Sequence, residues 1–111
     1  MSEPDGGGDD SEDRAVASDP VLDDLFATIE SRKAELPEGS YTASLFTHEK
    51  GENAVLEKLG EETTELVLAA KDDDSEEIAH EAADIVYHLL VLFSMKELDL
   101  EELQAELEAR R

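Results

Sequence analysis

The sequence predicts a small all-α protein, an antiparallel bundle of about four helices. Apolar residues recur at helical spacing through most of the chain, and no stretch shows the strict alternation typical of a strand. Prolines, glycines and capping residues separate the helical segments. Several helices are apolar over a broad arc, and about 90 ordered residues are few for a self-sufficient core. We therefore expect oligomerisation, as a homodimer or a higher homo-oligomer, to complete the bundle.

The charge balance of the chain is extreme. One domain is expected from 111 residues, which carry 31 acidic and 9 basic side chains and a formal net charge of −22. Such a charge repels nucleic acid and anionic membranes, so neither is an expected partner. The excess of acid is broader than one site needs. It predicts adaptation to a high-salt cytoplasm, where screening relieves the repulsion.

Cysteine content and hydropathy narrow the class of protein further. The absence of cysteine excludes disulfides, thiolate catalysis and cysteine-rich zinc sites. The start of the sequence lacks the basic region and apolar run of a secretory signal. The longest uninterrupted apolar run, Leu89 to Phe93, is far too short to span a bilayer. These features predict a soluble, cytoplasmic protein.

The first part of the chain divides into a tail and a helix. Residues 1–18 are rich in Gly, Asp, Glu and Ser and predict a flexible acidic tail before a helical domain of residues 19–111. Asp19 followed by Pro20 is typical of an N-cap and the first helical position. The turn pattern at residues 37–39 ends this first helix.

A segment rich in hydroxyl groups follows and has no firm assignment. Thr42 is a candidate cap for a short helix here. Hydroxyl groups approach phosphate without repulsion, which makes Ser40, Tyr41 and Thr42 candidate ligands in an otherwise acidic chain. Roles in a turn or a cap explain the same residues equally well.

Two longer helices, at about residues 53–71 and 76–95, and a short fourth helix complete the predicted bundle. Capping boxes precede the third and fourth helices, at the pairs Asp74–Glu77 and Asp99–Glu102. The apolar stripe predicted for the second helix consists of Leu56, Leu59, Thr63, Leu66, Val67 and Ala70. That of the third helix consists of Ile78, Ala82, Ile85, Leu89, Leu92 and Phe93.

Each long helix also carries a pair of carboxylates three residues apart, Glu62 with Glu65 and Glu81 with Asp84. Side chains at this spacing lie on one helix face, roughly 5–6 Å apart at Cβ. A polar line borders the apolar stripe of the third helix and consists of Glu77, Glu81, Asp84 and His88. Helices packed by their apolar stripes would therefore bring two acidic edges together.

The proximity of these carboxylates predicts a cation site. Two carboxylates about 6 Å apart repel each other by about 3 kcal/mol at an effective dielectric constant near 20. A hard cation that takes oxygen ligands, above all Mg²⁺, relieves this repulsion and is often shared with the phosphates of a substrate. Carboxylates facing solvent are the alternative, but two pairs beside two well-formed stripes favour the metal site. We expect that neutralising any one of the four stabilises the metal-free protein.

Three other residues of the long helices stand out. Lys58 lies one turn before the first carboxylate pair and is a candidate phosphate contact, or simply a member of an exposed ion pair. His88 shares the acidic edge and is a candidate for substrate binding. Gly60 lies inside a helix, where glycine costs about 1 kcal/mol relative to alanine. Close approach of another helix or a ligand explains it, and so does simple tolerance.

The two acidic motifs, Glu62-x-x-Glu65 and Glu81-x-x-Asp84, resemble the signature of the all-α, MazG-like nucleotide pyrophosphohydrolases. Within that superfamily the chain is similar to the phosphoribosyl-ATP pyrophosphatases of histidine biosynthesis, most clearly in residues 40–42, 57–62 and 81–90. The similarity covers about residues 21–107, and the acidic motifs show no departure from the pattern.

The resemblance implies hydrolysis of 1-(5-phospho-β-D-ribosyl)-ATP to the corresponding AMP derivative and pyrophosphate, the second step of the pathway. It implies Mg²⁺ held by four catalytic carboxylates, one of which takes the proton of the attacking water. The metal ligands and catalytic residues would be Glu62, Glu65, Glu81 and Asp84. The phosphate or ribose contacts would come from Ser40, Tyr41, Thr42 and Lys58.

Two other functions stay open from the sequence. One is the release of pyrophosphate from a free nucleoside triphosphate by a sister enzyme of the same superfamily. The other is a non-catalytic acidic helical module that only binds cations.

Overall fold

The structure, a computed structural model, describes residues 20–111. The predicted acidic tail and the predicted cap Asp19 lie outside the described residues. Within them the protein is all-helical, which confirms the predicted fold class, and no strand occurs among residues 20–111. The helices are α1 (Val21–Glu35), α2 (Tyr41–Phe46), α3 (Glu52–Lys71), α4 (Ser75–Met95) and α5 (Leu100–Glu108).

The extra helix, relative to the four expected, is the short α2. It forms in the segment left unassigned from the sequence, and its cap is Ser40 rather than Thr42. The Ser40 hydroxyl accepts a hydrogen bond from the Ala43 backbone N–H at 3.1 Å. Leu36 and Gly39, both at positive φ, reverse the chain between α1 and α2. This turn places α2 between α1 and α3.

The other helix starts agree with the sequence to within one residue. Pro20 directly precedes α1 instead of occupying its first position. Asp74 caps α4 by accepting from the Glu77 N–H at 3.1 Å, which is one half of the predicted capping box. The box before α5 is complete, and the Glu102 carboxylate accepts from the backbone N–H of Asp99 at 3.2 Å.

The pair α3 and α4 forms the body of the bundle. A turn at residues 72–74 joins them as an antiparallel hairpin, and they contact each other more extensively than any other two helices. Every helix contributes to one core cluster, formed by Ile29, Leu45, Val55, Leu90, Val91 and Leu100. The Lys33 ammonium of α1 donates to the Ser94 carbonyl of α4 at 2.8 Å and ties the first helix to this core.

The inward face of α3 differs from the prediction. Val55, Glu62 and Ala69 are its buried residues around this face, while Thr63 and Val67 of the predicted stripe are exposed. The helix is therefore rotated by about one residue relative to the expected orientation. The reason is that Glu62 fills an inward position by pairing with a side chain of α4, which a count of apolar residues cannot reveal.

The inward face of α4 is also different from the predicted one. Its fully buried residues are Glu81, His88, Leu90, Val91 and Ser94. All six residues of the predicted apolar stripe are only partly buried. Much of the polar line thus faces α3, and most of the apolar stripe lies on the flank of the single chain, while Leu92 packs against the core. Leu90 and Val91, which lie outside the predicted stripe, belong to the core.

Two further points concern α3 and α4. A Cβ added to Gly60 would meet nothing within 4 Å, so no neighbouring helix in the same chain explains this glycine. In residues 20–111, α4 is long and apolar enough to cross a membrane by length and composition only, a test that the core helix of a soluble protein also passes.

Candidate active site

The carboxylate of Glu62 lies at the centre of the α3–α4 contact. Glu62 is 8% exposed and His88 is 4% exposed. The Nδ1 atom of His88 lies 2.9 Å from Oε1 of Glu62 and 3.1 Å from the carbonyl oxygen of Asp84. Both neighbours are acceptors, so Nδ1 carries a proton and donates to them. The ring therefore holds one oxygen of Glu62 in a defined position.

The hydroxyl groups of the segment before and within α2 face the protein. Ser40 caps the helix, as described above. The hydroxyl of Tyr41 lies 3.0 Å from Nε2 of His88, and that of Thr42 forms a hydrogen bond with the Tyr87 hydroxyl. Partial burial, together with the charges of Tyr87, Glu62 and Asp84, raises the pKa of Tyr41. The phenol thus stays protonated and donates to His88.

Glu81 occupies the other end of the acidic edge in a different environment. It is 4% exposed, and its Oε1 atom has no hydrogen-bond partner. A hydrogen bond to Glu77 that requires a proton, desolvation, and the nearby Glu65 carboxylate raise the pKa of Glu81 to about 7. Three carboxylates therefore converge here, and the ionised form of Glu81 is disfavoured.

Asp84 lies between these two ends. Its Oδ2 atom is 3.3 Å from Nε2 of His80, one turn earlier on α4. Ligand atoms of His80, Glu81 and Asp84 all lie within 4.8 Å of one another, a spacing that one metal ion could bridge. His80 is exposed, so this cluster opens to solvent on one side.

Lys58 lies in a separate groove between α2 and α3, which we call the lysine groove. Its volume is about 190 Å³, and its polar lining includes Tyr41, His48, Lys50, Glu57, Lys58 and Glu61. The Lys50 ammonium lies 3.0 Å from the Glu57 carboxylate and that of Lys58 4.0 Å from Glu61. Tyr41 is shared between this groove and the hydrogen bond to His88.

Comparison with known proteins identifies the family. The model of the phosphoribosyl-ATP pyrophosphohydrolase family matches residues 22–111. The chain belongs to this family. A phosphoribosyl-ATP pyrophosphatase of Haloarcula marismortui is 80% identical over 91 residues, which cover 82% of this chain and 93% of that protein. One of Natronomonas pharaonis is 81% identical over 93 residues, covering 84% and 92%.

More distant relatives carry the same name. A phosphoribosyl-ATP pyrophosphatase of Clostridium botulinum is 47% identical over 91 residues, which cover 82% of this chain and 81% of that protein. The nearer relatives are haloarchaeal. This agrees with the salt adaptation predicted from the charge of −22.

The site residues of this pyrophosphohydrolase fit a hard cation. One oxygen of Glu81 has no hydrogen-bond partner, and the pKa of this carboxyl is raised. Asp84 lies beside it, so the site has negative charge that no positive group balances. Its donors are mostly carboxylate oxygens, the ligands that Mg²⁺ prefers. Glu65 reaches the same site from α3. The structure thus brings Glu65 of α3 next to Glu81 of α4, which lies beside Asp84, whereas Glu62 pairs with His88.

Three residues that border the site were not singled out as site residues from the sequence. Glu77 is a neighbour of Glu81, Tyr87 is the partner of Thr42, and His80 is the partner of Asp84. The spacing of four residues between His80 and Asp84 was a usable signal, because such residues share a helix face. The Thr42–Tyr87 contact joins α2 to α4 across a long stretch of sequence, and no local pattern indicates it.

Proposed function

We propose that the protein is an Mg²⁺-dependent phosphoribosyl-ATP diphosphatase. It hydrolyses 1-(5-phospho-β-D-ribosyl)-ATP to the AMP derivative and pyrophosphate, the second step of histidine biosynthesis. Family membership over residues 22–111 supports the reaction. The observation that carries the chemistry is the buried Glu81 carboxylate, which has an unpartnered oxygen among other carboxylates.

The proposed mechanism assigns the metal to Glu62, Glu65, Glu81 and Asp84. Bound there, Mg²⁺ would neutralise phosphate oxygens and lower the pKa of the attacking water. A carboxylate of the set takes the proton of that water. The water oxygen bonds to the α-phosphorus while the bond to the bridging oxygen of the leaving pyrophosphate breaks. The burial of Glu62 and Glu81 limits the water that competes for these contacts.

We place an anionic part of the substrate in the lysine groove. Its two ammonium groups, of Lys50 and Lys58, are half-exposed and paired only with exposed carboxylates. Exposed ion pairs contribute about 0–1 kcal/mol, so exchanging a carboxylate for a phosphate costs little. The groove therefore offers positive charge next to Tyr41, in a chain with a net charge of −22. This supports Lys58 as a phosphate contact.

A product assay tests the reaction. The full chain is incubated with Mg²⁺ and either phosphoribosyl-ATP or a set of deoxynucleoside triphosphates, free of contaminating pyrophosphatase, and the products are identified by mass. We expect phosphoribosyl-ATP to be the preferred substrate and pyrophosphate to be the first inorganic product. Orthophosphate appearing first would contradict attack at the α-phosphorus. Preference for free triphosphates would favour the sister activity.

The absence of turnover with every nucleotide would leave a cation-binding module. In that case Mg²⁺ should still raise the melting temperature, because the carboxylates would bind it for structural reasons. A buffer with EDTA instead of Mg²⁺ is the matched control for both arms.

We further propose that the protein acts in the cytoplasm and that it forms an oligomer there. In this oligomer a second copy of the chain covers the apolar flank of the α3–α4 pair. Val67 and Leu68 of α3 are 54% and 58% exposed, and the apolar stripe of α4 is only partly buried. A domain of this size gains stability from burying such a surface. Light scattering after size exclusion should give the mass of a homodimer or a higher homo-oligomer. A monomer at micromolar concentration would contradict the proposal.

A further inference from the structure

The three hydroxyl groups of residues 40–42 already have partners inside the protein. Ser40 caps α2, Tyr41 contacts His88, and Thr42 contacts Tyr87. Two of these contacts join the same helices, α2 and α4, through neighbouring residues. Only the contact of Tyr41 continues, through His88, to a carboxylate of the active site. The contact of Thr42 ends at Tyr87, so we expect different roles for Tyr41 and Thr42.

The continuing contact is a chain of hydrogen bonds with one direction. The Tyr41 hydroxyl donates to Nε2 of His88 over 3.0 Å, and Nδ1–H donates to Oε1 of Glu62 over 2.9 Å. The Asp84 carbonyl accepts from the same Nδ1–H at 3.1 Å and fixes the ring plane. His88 is 4% exposed and its contact with Glu62 is buried, so that contact is made without competition from bulk water, while Tyr41 is half-exposed.

We propose that His88, held by Tyr41, is the positioning residue that aims the Glu62 carboxylate at the metal and the substrate. With Oε1 bound to His88, the other oxygen of Glu62 is left free to act in the site. The inference rests on the proposed function for its kinetic consequences. Neither Tyr41 nor His88 needs to touch the reacting atoms for this role.

The arrangement also connects substrate binding to the site. Tyr41 lines the lysine groove and its hydroxyl reaches His88, so one residue contacts both regions. A ligand in the groove that packs against the Tyr41 ring restricts the motion of the ring. The hydrogen bond from Tyr41 to His88 is then held in one geometry. A carboxylate held in one orientation before the reaction lowers the barrier more than one that must be ordered during it.

Variants that remove single contacts test the proposal. Tyr41→Phe removes the hydroxyl alone. In His88→Asn the amide nitrogen can take the place of Nδ1 and keep the donor to Glu62, whereas in His88→Gln it takes the place of Nε2 and loses that donor. Tyr87→Phe is the matched control, because it removes the neighbouring α2–α4 hydrogen bond without touching the chain to Glu62.

Two measurements are made on each variant of the full chain. The first is the dissociation constant of Mg²⁺, from the dependence of the melting temperature on Mg²⁺ concentration. The second is the separation of kcat from KM with phosphoribosyl-ATP. We expect His88→Gln to lose about tenfold or more in kcat and to bind Mg²⁺ several-fold more weakly. His88→Asn should recover most of both losses, and Tyr41→Phe should lose a few-fold in kcat at unchanged KM.

The control decides between positioning and packing. Tyr87→Phe should keep kcat and the Mg²⁺ constant within about twofold, even if its melting temperature falls as far as that of Tyr41→Phe. Equal losses in Tyr87→Phe and Tyr41→Phe would overturn the proposal, since docking of α2 would then be the cause. A rise in KM at unchanged kcat would overturn it too, because Tyr41 would then be a substrate contact.

The dissociation constant of Mg²⁺ tests the positioning role of His88 independently of whether the proposed reaction occurs. Turnover of phosphoribosyl-ATP by the unmodified protein decides the function, whereas the metal constant of the His88 variants decides the positioning. If no nucleotide were hydrolysed, a weaker Mg²⁺ constant in His88→Gln than in His88→Asn would still support the role of His88. Identical constants in these two variants would exclude it.

Discussion

The two buried glutamates of the site, Glu62 on α3 and Glu81 on α4, have opposite surroundings. Both are nearly inaccessible, at 8% and 4% exposure. Glu62 accepts a hydrogen bond from His88, whereas Glu81 has an oxygen without a partner and carboxylates as neighbours. The protein itself thus supplies a partner for the carboxylate at one end and none for the free oxygen at the other, where we propose that the cation binds. Burial alone does not tell these two situations apart, but the partners of the oxygen atoms do.

The largest effect that we expect is on turnover. Glu62→Gln, Glu65→Gln, Glu81→Gln and Asp84→Asn should each lose at least roughly a hundredfold in rate, or about 2.7 kcal/mol of barrier. Each change removes a charged oxygen from the proposed metal site. Steady-state rates with phosphoribosyl-ATP and Mg²⁺ measure this, with Glu30→Gln on the exposed face of α1 as the control. Near-normal turnover in two or more of the four would contradict the proposed site.

The next largest effect that we expect is that of salt on the melting temperature and the activity. The size of this effect should differ between variants of Glu81 and variants of Glu62. At about 0.01 M salt the screening length is about 30 Å, so a chain with a charge of −22 repels itself strongly. The melting temperature and the activity should rise as KCl increases from about 0.05 M to about 2 M. The gain in melting temperature should be smaller in Glu81→Gln, because that variant already lacks one of the repelling charges.

Thermal unfolding in KCl without divalent cations measures this gain. The same series with Glu62→Gln is the comparison, since Glu62 faces His88 rather than another carboxylate. A melting temperature that does not respond to KCl would remove the salt adaptation and leave the enzyme assignment intact.

The fold class and the acidic motifs could be predicted from the sequence, because both depend on local spacing. Helical periodicity fixes which residues share a face, and the Glu-x-x-Glu and Glu-x-x-Asp pairs follow from it directly. The helix that had no firm assignment, α2, is less than two turns long, and such a short apolar pattern is not distinctive. Its position depends on the contacts of Tyr41 and Thr42 with α4, which are distant in sequence.

The orientation of the two long helices could not be predicted for a physical reason. Pattern analysis assumes that apolar residues face inward and charged residues outward. Here a carboxylate and an imidazole satisfy each other, so Glu62 and His88 are buried and the predicted apolar stripe of α4 is only partly buried. The shared site of the four carboxylates stays a prediction, although Glu81 does lie beside Asp84 and Glu65. Which of them has a protein partner required the three-dimensional contacts.

In the metal-free protein, replacing Glu62 and replacing Glu81 should change the free energy of unfolding in opposite directions. Repulsion alone predicts that any of the four amide changes stabilises the metal-free protein. The structure retains this expectation for Glu81→Gln, which removes a charge from a site without a partner. Glu62→Gln instead weakens the bond from His88 and should destabilise the protein by about 1 kcal/mol. Unfolding in EDTA measures both, and shifts in the same direction would contradict the comparison.

The smallest expected effect is the pH dependence that Glu81 adds to stability. Its pKa is about 7 in the folded protein, above the ordinary value of 4.5, so the folded state holds a proton that the unfolded state releases. The stability that this proton provides is fully present below about pH 4.5 and is lost as the pH rises through about 7. The metal-free protein should therefore lose more stability than Glu81→Gln between about pH 5 and pH 8.

The difference between these two proteins reports the proton that Glu81 shares with its neighbours Glu77 and Glu65, because carboxylates far from this end contribute equally to both. Melting temperatures in EDTA across this pH range give that difference. Glu30→Gln again serves as the control, and its melting temperature should change with pH as steeply as that of the unmodified protein. Saturating Mg²⁺ should abolish the extra slope, since a bound cation favours the ionised carboxylate in place of the proton. Parallel curves for the unmodified protein and Glu81→Gln would show that the crowded carboxylates at this end do not share a proton. The contrast between the two glutamates would then rest on the contact of Glu62 with His88 alone.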